Sequence, residues 1–194
     1  MPLEASGLSM CRMCRNSSDR GDANYGSRIS LNNTTREQWV EQAMIDGVLF
    51  KELVTHTDER GFFREIIRYD DDCFAEGFGQ WSHSLMFDGV IKAWHLHHIQ
   101  TDWWYVVNGV LRVGLCDRRP ASSTFGQTMD FLMGDFQPAR ILKIPPGIAH
   151  GCRVMQGPVN LLYLTSHTYN PADELRIAYD DPTIDFDWLK RDIR

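Results

Sequence analysis

Between Gly89 and Gly109 the chain reads GVIKAWHLHHIQTDWWYVVNG, which sets His95 and His97 two residues apart and Asp102 five residues further on. On an extended strand alternate side chains share a face, so these two imidazoles point the same way. A second segment, Pro145-Pro146-Gly147-Ile148-Ala149-His150, adds another imidazole behind a tight turn. Imidazole nitrogens and a carboxylate oxygen are the donors a divalent metal takes, and a neutral imidazole is also a base near neutral pH. Both chemistries are open on these residues.

The elements that must position them read as short strands. From Val48 onward β-branched and aromatic runs alternate with turns, giving candidate strands at Leu49–Val54, Phe62–Ile67, Trp81–Phe87, Val90–His97, Trp103–Val107, Leu111–Cys116, Ile141–Ile144 and Leu161–Thr165. Asn108-Gly109 predicts a hairpin turn, because both residues tolerate positive φ. Many short strands with little helix imply an all-β sandwich or barrel. Ahead of it, Thr34 as a cap and Glu37 at the capping-box position predict a short helix to about Met44, docking through Trp39, Val40 and Ala43. Residues 1 to about 33 lack periodicity and read as a flexible arm. The expected organisation is an extension with a short helix over 1–46 and one barrel domain over 47–194.

Composition narrows the function classes. A formal charge of −6 and the lack of any Lys/Arg block leave no basic face for nucleic acid. No apolar run reaches the ~20 residues of a membrane span, and the N-terminus has no signal-peptide core, so a cytoplasmic protein is expected. Five cysteines are an odd number; Cys73, Cys116 and Cys152 fall in apolar runs and are expected as reduced core residues. Cys11 and Cys14 form half of a zinc-knuckle or redox pattern with no second pair to answer it, and read as two tail thiols.

The two histidine segments resemble the cupin motifs G(X)5HXH(X)3–4E(X)6G and PXGXXH, with Asp102 in the glutamate position and Ala139 in place of the second motif's leading glycine. That resemblance implies a cupin double-stranded β-helix. Within the cupins, residues 47–188 are similar to the dTDP-4-dehydrorhamnose 3,5-epimerase family. The similarity is carried by Asp58-Glu59-Arg60-Gly61-Phe62-Phe63-Arg64-Glu65, Gly89 to His95, Asp117-Arg118-Arg119, Ser123 to Gly126, Ile144 to Gly151, Leu162-Tyr163, Tyr169-Asn170-Pro171 and Asp180-Asp181-Pro182. It implies an isomerase that epimerises a nucleotide-linked 4-keto-6-deoxy sugar through an enolate. By that resemblance His95 is the catalytic base and Tyr163 the acid. Arg60 and Lys92 hold diphosphate or sugar oxygens, Glu65, Gln80, His150, Tyr169 and Glu174 line the pocket, and Phe63 packs on the nucleotide base. It also implies a nucleotide-diphosphate sugar as partner and a homodimer, with Arg60 and Phe63 completing the neighbour's pocket.

Three positions depart from the family pattern. Lys92 stands where the family has Arg, which keeps the charge but loses bidentate phosphate recognition. Asp102 aligns with a Lys that helps stabilise the enolate, and an anion there opposes a developing oxyanion. The family's Asp that orients the catalytic His has no counterpart at the right offset; Asp192 lies near but out of register. One expectation joins two of these changes: His95, His97, Asp102 and His150 form a 3-His-1-carboxylate set for one divalent ion (Zn, Fe, Mn or Ni) that replaces the lysine as electrophile. Two alternatives stand beside the epimerase. One is a metal-dependent cupin oxygenase, lyase or sugar isomerase; the other is a nucleotide-sugar-binding protein that has lost catalysis.

Overall fold

A computed structural model describes residues 39–40 and 45–190, and these form eleven strands and one 3₁₀ turn at Asp72–Phe74. The strands are β1 (Trp39–Val40), β2 (Leu49–Glu52), β3 (Thr55–Asp58), β4 (Gly61–Arg64), β5 (Gln80–Met86), β6 (Ile91–Leu96), β7 (Asp102–Asp117), β8 (Thr128–Gly134), β9 (Arg140–Ile144), β10 (Ile148–Thr165) and β11 (Leu175–Arg176). The all-β expectation holds. The helix expected over 34–44 does not hold where it can be seen: Trp39 and Val40 are strand, paired with Lys51 and Phe50. The rest of that segment, Cys11, Cys14 and Asp192 lie outside the described residues.

Two long strands organise everything else. β7 and β10, of 16 and 18 residues, run antiparallel along their full lengths. On its other side β7 pairs with β9 through Asp102–Trp104, then with β8 through Val110–Cys116. Likewise β10 pairs with β6 near His150–Arg153 and with β5 over Val159–Thr165. Each long strand therefore belongs to two layers: β1-β2-β9-β7-β10-β5 and β8-β7-β10-β6-β11.

The change of layer falls where a hairpin was expected. At Asn108-Gly109 β7 continues, and the register opposite shifts between Gln156 and Asn160. Gly109 has φ +78°, and a Cβ there would lie 2.8 Å from the carbonyl oxygens of Gln156 and Pro158. The Asn-Gly pair thus serves a bulge that turns the ribbon from one layer into the other.

Alternate residues of both layers meet in one core that includes Phe50, Trp104, Val106, Leu111, Val113, Leu115, Met129, Met133, Leu142, Val154 and Leu161. The outer faces are covered too. Trp103 and Tyr105 pack with Phe74 and Ile141, while Trp94 and Cys116 pack under Ile184 and Trp188. Burial on both faces explains why β7 carries an apolar run rather than an alternation. Cys73, Cys116 and Cys152 are all buried in the core, as the sequence suggests, and Cys116 and Cys152 are free thiols.

The two histidine-bearing strands touch at Gly151. A methyl there would sit 2.5 Å from Ala93 Cβ and 2.9 Å from the Lys92 carbonyl oxygen. Gly151→Ala is expected to push β6 off β10 and cost roughly 1–3 kcal/mol. Thermal unfolding checks this, and an unchanged midpoint would show that β6 yields freely.

Candidate active site

The two histidine segments converge. His95 on β6 pairs in register with His150 on β10, and their rings stack with centroids 6.2 Å apart at 19°. The Pro-Gly turn is tied to the first segment by Gly147 N–H, which donates to the His97 carbonyl oxygen at 2.7 Å. His97 lies 5.5 Å from His150, ring centre to ring centre.

These side chains open into a cavity of about 330 Å³ between β5, β6 and β10. Period-2 alternation turns Gln80, Ser84 and Met86 of β5, Asp102 and Trp104 of β7, and Leu161, Tyr163 and Thr165 of β10 toward it. The segment after β10 contributes Tyr169, Asn170, Glu174 and Arg176. Of the residues expected from sequence, His95, His97, His150, Asp102, Tyr163, Gln80, Lys92, Tyr169 and Glu174 all line this cavity.

Arg60, Phe63 and Glu65 do not. They belong to the β3–β4 hairpin and its exit, and among the described residues that hairpin pairs with no strand of the nine-stranded sheet. Arg60 and Phe63 line a separate surface groove instead. The Arg60 side chain is 82% exposed and holds the Asp58 carboxylate at 2.5 Å rather than Glu65. Within one chain, then, they are not pocket residues.

Electrostatics differ from one imidazole to the next. His95 Nδ1 stands 3.3 Å from Glu174 Oε1. Burial pushes the His95 pKa down, and Glu174 only partly opposes this. The ring is therefore neutral near pH 7, the state a base requires. Burial raises the Glu174 carboxyl, but Arg176 and His95 outweigh it and leave the pKa lowered. His150 is fully enclosed, and burial, despite the nearby Asp102, drives its pKa down to about 4. Its Nδ1 donates to the Ile148 carbonyl oxygen at 3.0 Å, leaving Nε2 facing Asp102 Oδ2 at 3.7 Å.

Asp102 is 4% exposed, accepting from Gln100 Nε2 at 2.7 Å and Trp104 Nε1 at 3.3 Å. His97 Nδ1 meets the Asp173 carbonyl oxygen at 3.2 Å. One donor atom each from His97, Asp102 and His150 lie within 4.8 Å of one another. His95 falls outside that group, and its Nδ1 stands beside Glu174 instead.

Sequence reasoning missed Arg176, Gln100, Ser84 and Asn170. Arg176 carried one weak signal, its place two residues from Glu174 on an extended segment. Ser84 lies within the candidate strand Trp81–Phe87 and Asn170 within the Tyr169-Asn170-Pro171 motif, but neither is singled out, and Gln100 follows the histidine segment without a pattern of its own.

Residues 42–194 match the family model described as dTDP-4-dehydrorhamnose 3,5-epimerase. The chain belongs to this enzyme family. It is 47% identical over 148 residues to the spore coat polysaccharide biosynthesis protein SpsL of Bacillus subtilis, covering 75% of this chain and 97% of that one. It is 32% identical over 148 residues to a probable low-salt glycan biosynthesis epimerase, Agl13, of Haloferax volcanii, covering 74% and 94%. Among solved structures, the dTDP-6-deoxy-D-glucose-3,5-epimerase of Legionella pneumophila in complex with dTDP-4-keto-L-rhamnose superposes with a TM-score of 0.70 at 28% identity, covering 78% of this chain and 83% of that one.

Proposed function

We propose that this protein epimerises a nucleotide-linked 4-keto-6-deoxy sugar through an enolate, in the cavity lined by His95 and Tyr163. The observation that carries the reading is that a neutral imidazole and a phenol, from different strands, open into one cavity of about 330 Å³ in a member of this epimerase family.

The steps follow from the acidity of a C–H bond beside a ketone. His95 Nε2 takes the proton, the C–H pair becomes the enolate π bond, and the carbonyl pair moves onto oxygen. Tyr163 O–H then delivers a proton to the opposite face of the same carbon while the ketone re-forms. The net result is inversion, leaving an imidazolium and a phenolate that exchange protons with water. Proton transfers of this kind contribute about 10²–10⁴-fold each. Lys92, whose Nζ donates to Ser84 Oγ at 2.8 Å, brings positive charge to the cavity for an anionic nucleotide sugar. Mass spectrometry after incubating a dTDP-4-keto-6-deoxy sugar in D2O tests the reading: deuterium at the epimerised carbon supports it. Binding without exchange would point instead to a protein that only holds the nucleotide sugar.

Tyr163→Phe separates the two steps. The variant is expected to exchange the substrate proton while inverting about 100-fold more slowly, because the ring keeps its packing and loses only the acid. Equal loss of exchange and inversion, seen by NMR of the recovered sugar, would contradict this division of labour.

His97, Asp102 and His150 suit a divalent cation. The Nδ1 atoms of both histidines are held by carbonyl oxygens, as for metal-bound imidazoles; His150 Nε2 then faces the buried Asp102 carboxylate, and one His97 ring nitrogen lies within 4.8 Å of both. A lone pair at 3.7 Å from a carboxylate is a repulsive pairing that a bound cation relieves. When present, the ion would supply Lewis acidity toward a carbonyl oxygen. Elemental analysis of protein purified without added metal is expected to show one equivalent in wild type and little in His97→Ala; metal-free wild type would refute the assignment. Metal-dependent oxygen uptake would favour another cupin reaction.

The homodimer belongs to the same proposal. Phe62 and Phe63, 65% and 63% exposed on a hairpin that joins no other strand among the described residues, suit a second copy of the chain. A cytoplasmic site of action is also part of it; among the described residues no helix is long and apolar enough to cross a membrane.

A further inference from the structure

We propose that Glu174 is a positioning residue for the base: it fixes the His95 ring in the tautomer whose Nε2 takes the substrate proton. The inference deepens the epimerase reading and rests on it for the role of His95. Glu174 Oε1 stands 3.3 Å from His95 Nδ1, and because a carboxylate can only accept, that contact favours the tautomer with its hydrogen on Nδ1. In the neutral ring that leaves the unshared pair on Nε2.

The carboxylate is held in place from both sides. Just before it, the Asp173 carboxylate accepts the backbone N–H groups of His98, Ile99 and Gln100 at 2.8, 3.1 and 3.1 Å. Just after it, Leu175 and Arg176 pair with Leu96 and His95, the strand that carries the base. Residue 174 is thus pinned on one side to the loop after β6 and on the other to β6 itself. Arg176 Nε and Nη2 donate to the same Oε1 at 3.0 and 2.8 Å, keeping the carboxylate charged and aimed. The Glu174 side chain is only 12% exposed. A glutamate placed merely to contact a sugar hydroxyl would need none of this bracing against β6.

The test compares wild type with Glu174→Gln and Glu174→Asp. A glutamine offers an NH2 as well as an oxygen, so it can trap the ring in the wrong tautomer. Glu174→Gln is expected to lower kcat for solvent exchange about 100-fold with KM and dTDP affinity unchanged, and Glu174→Asp to recover part of the loss. A loss expressed in KM alone, or exchange within twofold of wild type, would overturn the proposal. ¹⁵N NMR of the His95 ring reads the same point without substrate. An Nδ1-protonated ring in wild type, mixed or reversed in Glu174→Gln, supports it, and an Nε2-protonated ring in wild type overturns it. Should wild type show the Nδ1-protonated ring but no exchange, the epimerase reading fails and the positioning role stands.

Discussion

His95→Asn is expected to slow deuterium exchange into a 4-keto-6-deoxy nucleotide sugar by about 1,000-fold while leaving dTDP affinity nearly intact. The ring is only partly exposed, at 34% of its side chain, and loses a base rather than a support of the core. Asparagine preserves a polar contact to Glu174 but has no basic nitrogen. The loss should therefore appear in kcat, which is the signature of an interaction made in the transition state. Rates of exchange followed by mass spectrometry, together with dTDP titration, check both halves. Exchange within tenfold of wild type would remove His95 from the chemistry and leave His150 or Tyr163 as the base.

A second large effect is expected far from the chemistry, at Asp117. This carboxylate is fully buried where β7 turns toward β8. Its oxygens accept from Arg119 N, Nε and Nη2 at 2.9, 2.9 and 2.7 Å, and from Ser122 and Thr124 hydroxyls at 2.6 Å each. Burial alone would raise its pKa, but these donors outweigh burial and hold it well below the usual carboxylate range. Arg119 in turn lies against Gly147, where a Cβ would come 2.3 Å from Arg119 Cγ, so the network backs the turn that aims His150. Asp117→Asn leaves the Arg119 guanidinium facing an amide and is expected to cost roughly 3 kcal/mol. In a domain of this size that lowers the melting temperature by about 9 °C.

The pH dependence has a definite sign. A folded pKa below the unfolded one stabilises the fold fully above about pH 4, the unfolded value, and the benefit fades as pH falls further. The gap between wild type and Asp117→Asn should accordingly be widest near neutrality and narrow in acid. Urea titrations at pH 7 and pH 3 with equal gaps would show that the charge of Asp117 contributes nothing.

Much of the site is legible in the sequence because its signals are local. The alternation of His95 and His97, and the Pro-Gly turn before His150, each specify a side-chain direction within six residues. A single strand pairing then brings them together. What cannot be read depends on distant parts of the chain. Asn108-Gly109 is a strong hairpin signal on its own, yet β10 lies opposite both halves of β7 and keeps it continuous. β8, Thr128–Gly134, escapes a sequence reading because its methionines and Asp130 mask the strand pattern; Asp130 is there to pair with the buried Arg112 at 2.7 Å. Glu174 reads as one more pocket wall, since nothing nearby in sequence reveals that β11 delivers it to His95. Arg60 and Phe63 are placed by motif alone; that their hairpin joins no strand of the main sheet among the described residues is a tertiary feature.

The central claim is that His95 and Tyr163 face a single bound sugar ring from opposite sides. A crystal structure with a dTDP-4-keto-6-deoxy sugar tests it directly. The account predicts the hexose ring in the β5–β6–β10 cavity, with one ring carbon beside the ketone within about 3.5 Å of both His95 Nε2 and the Tyr163 hydroxyl. A ring seated elsewhere, or within reach of only one of the two side chains, would contradict it.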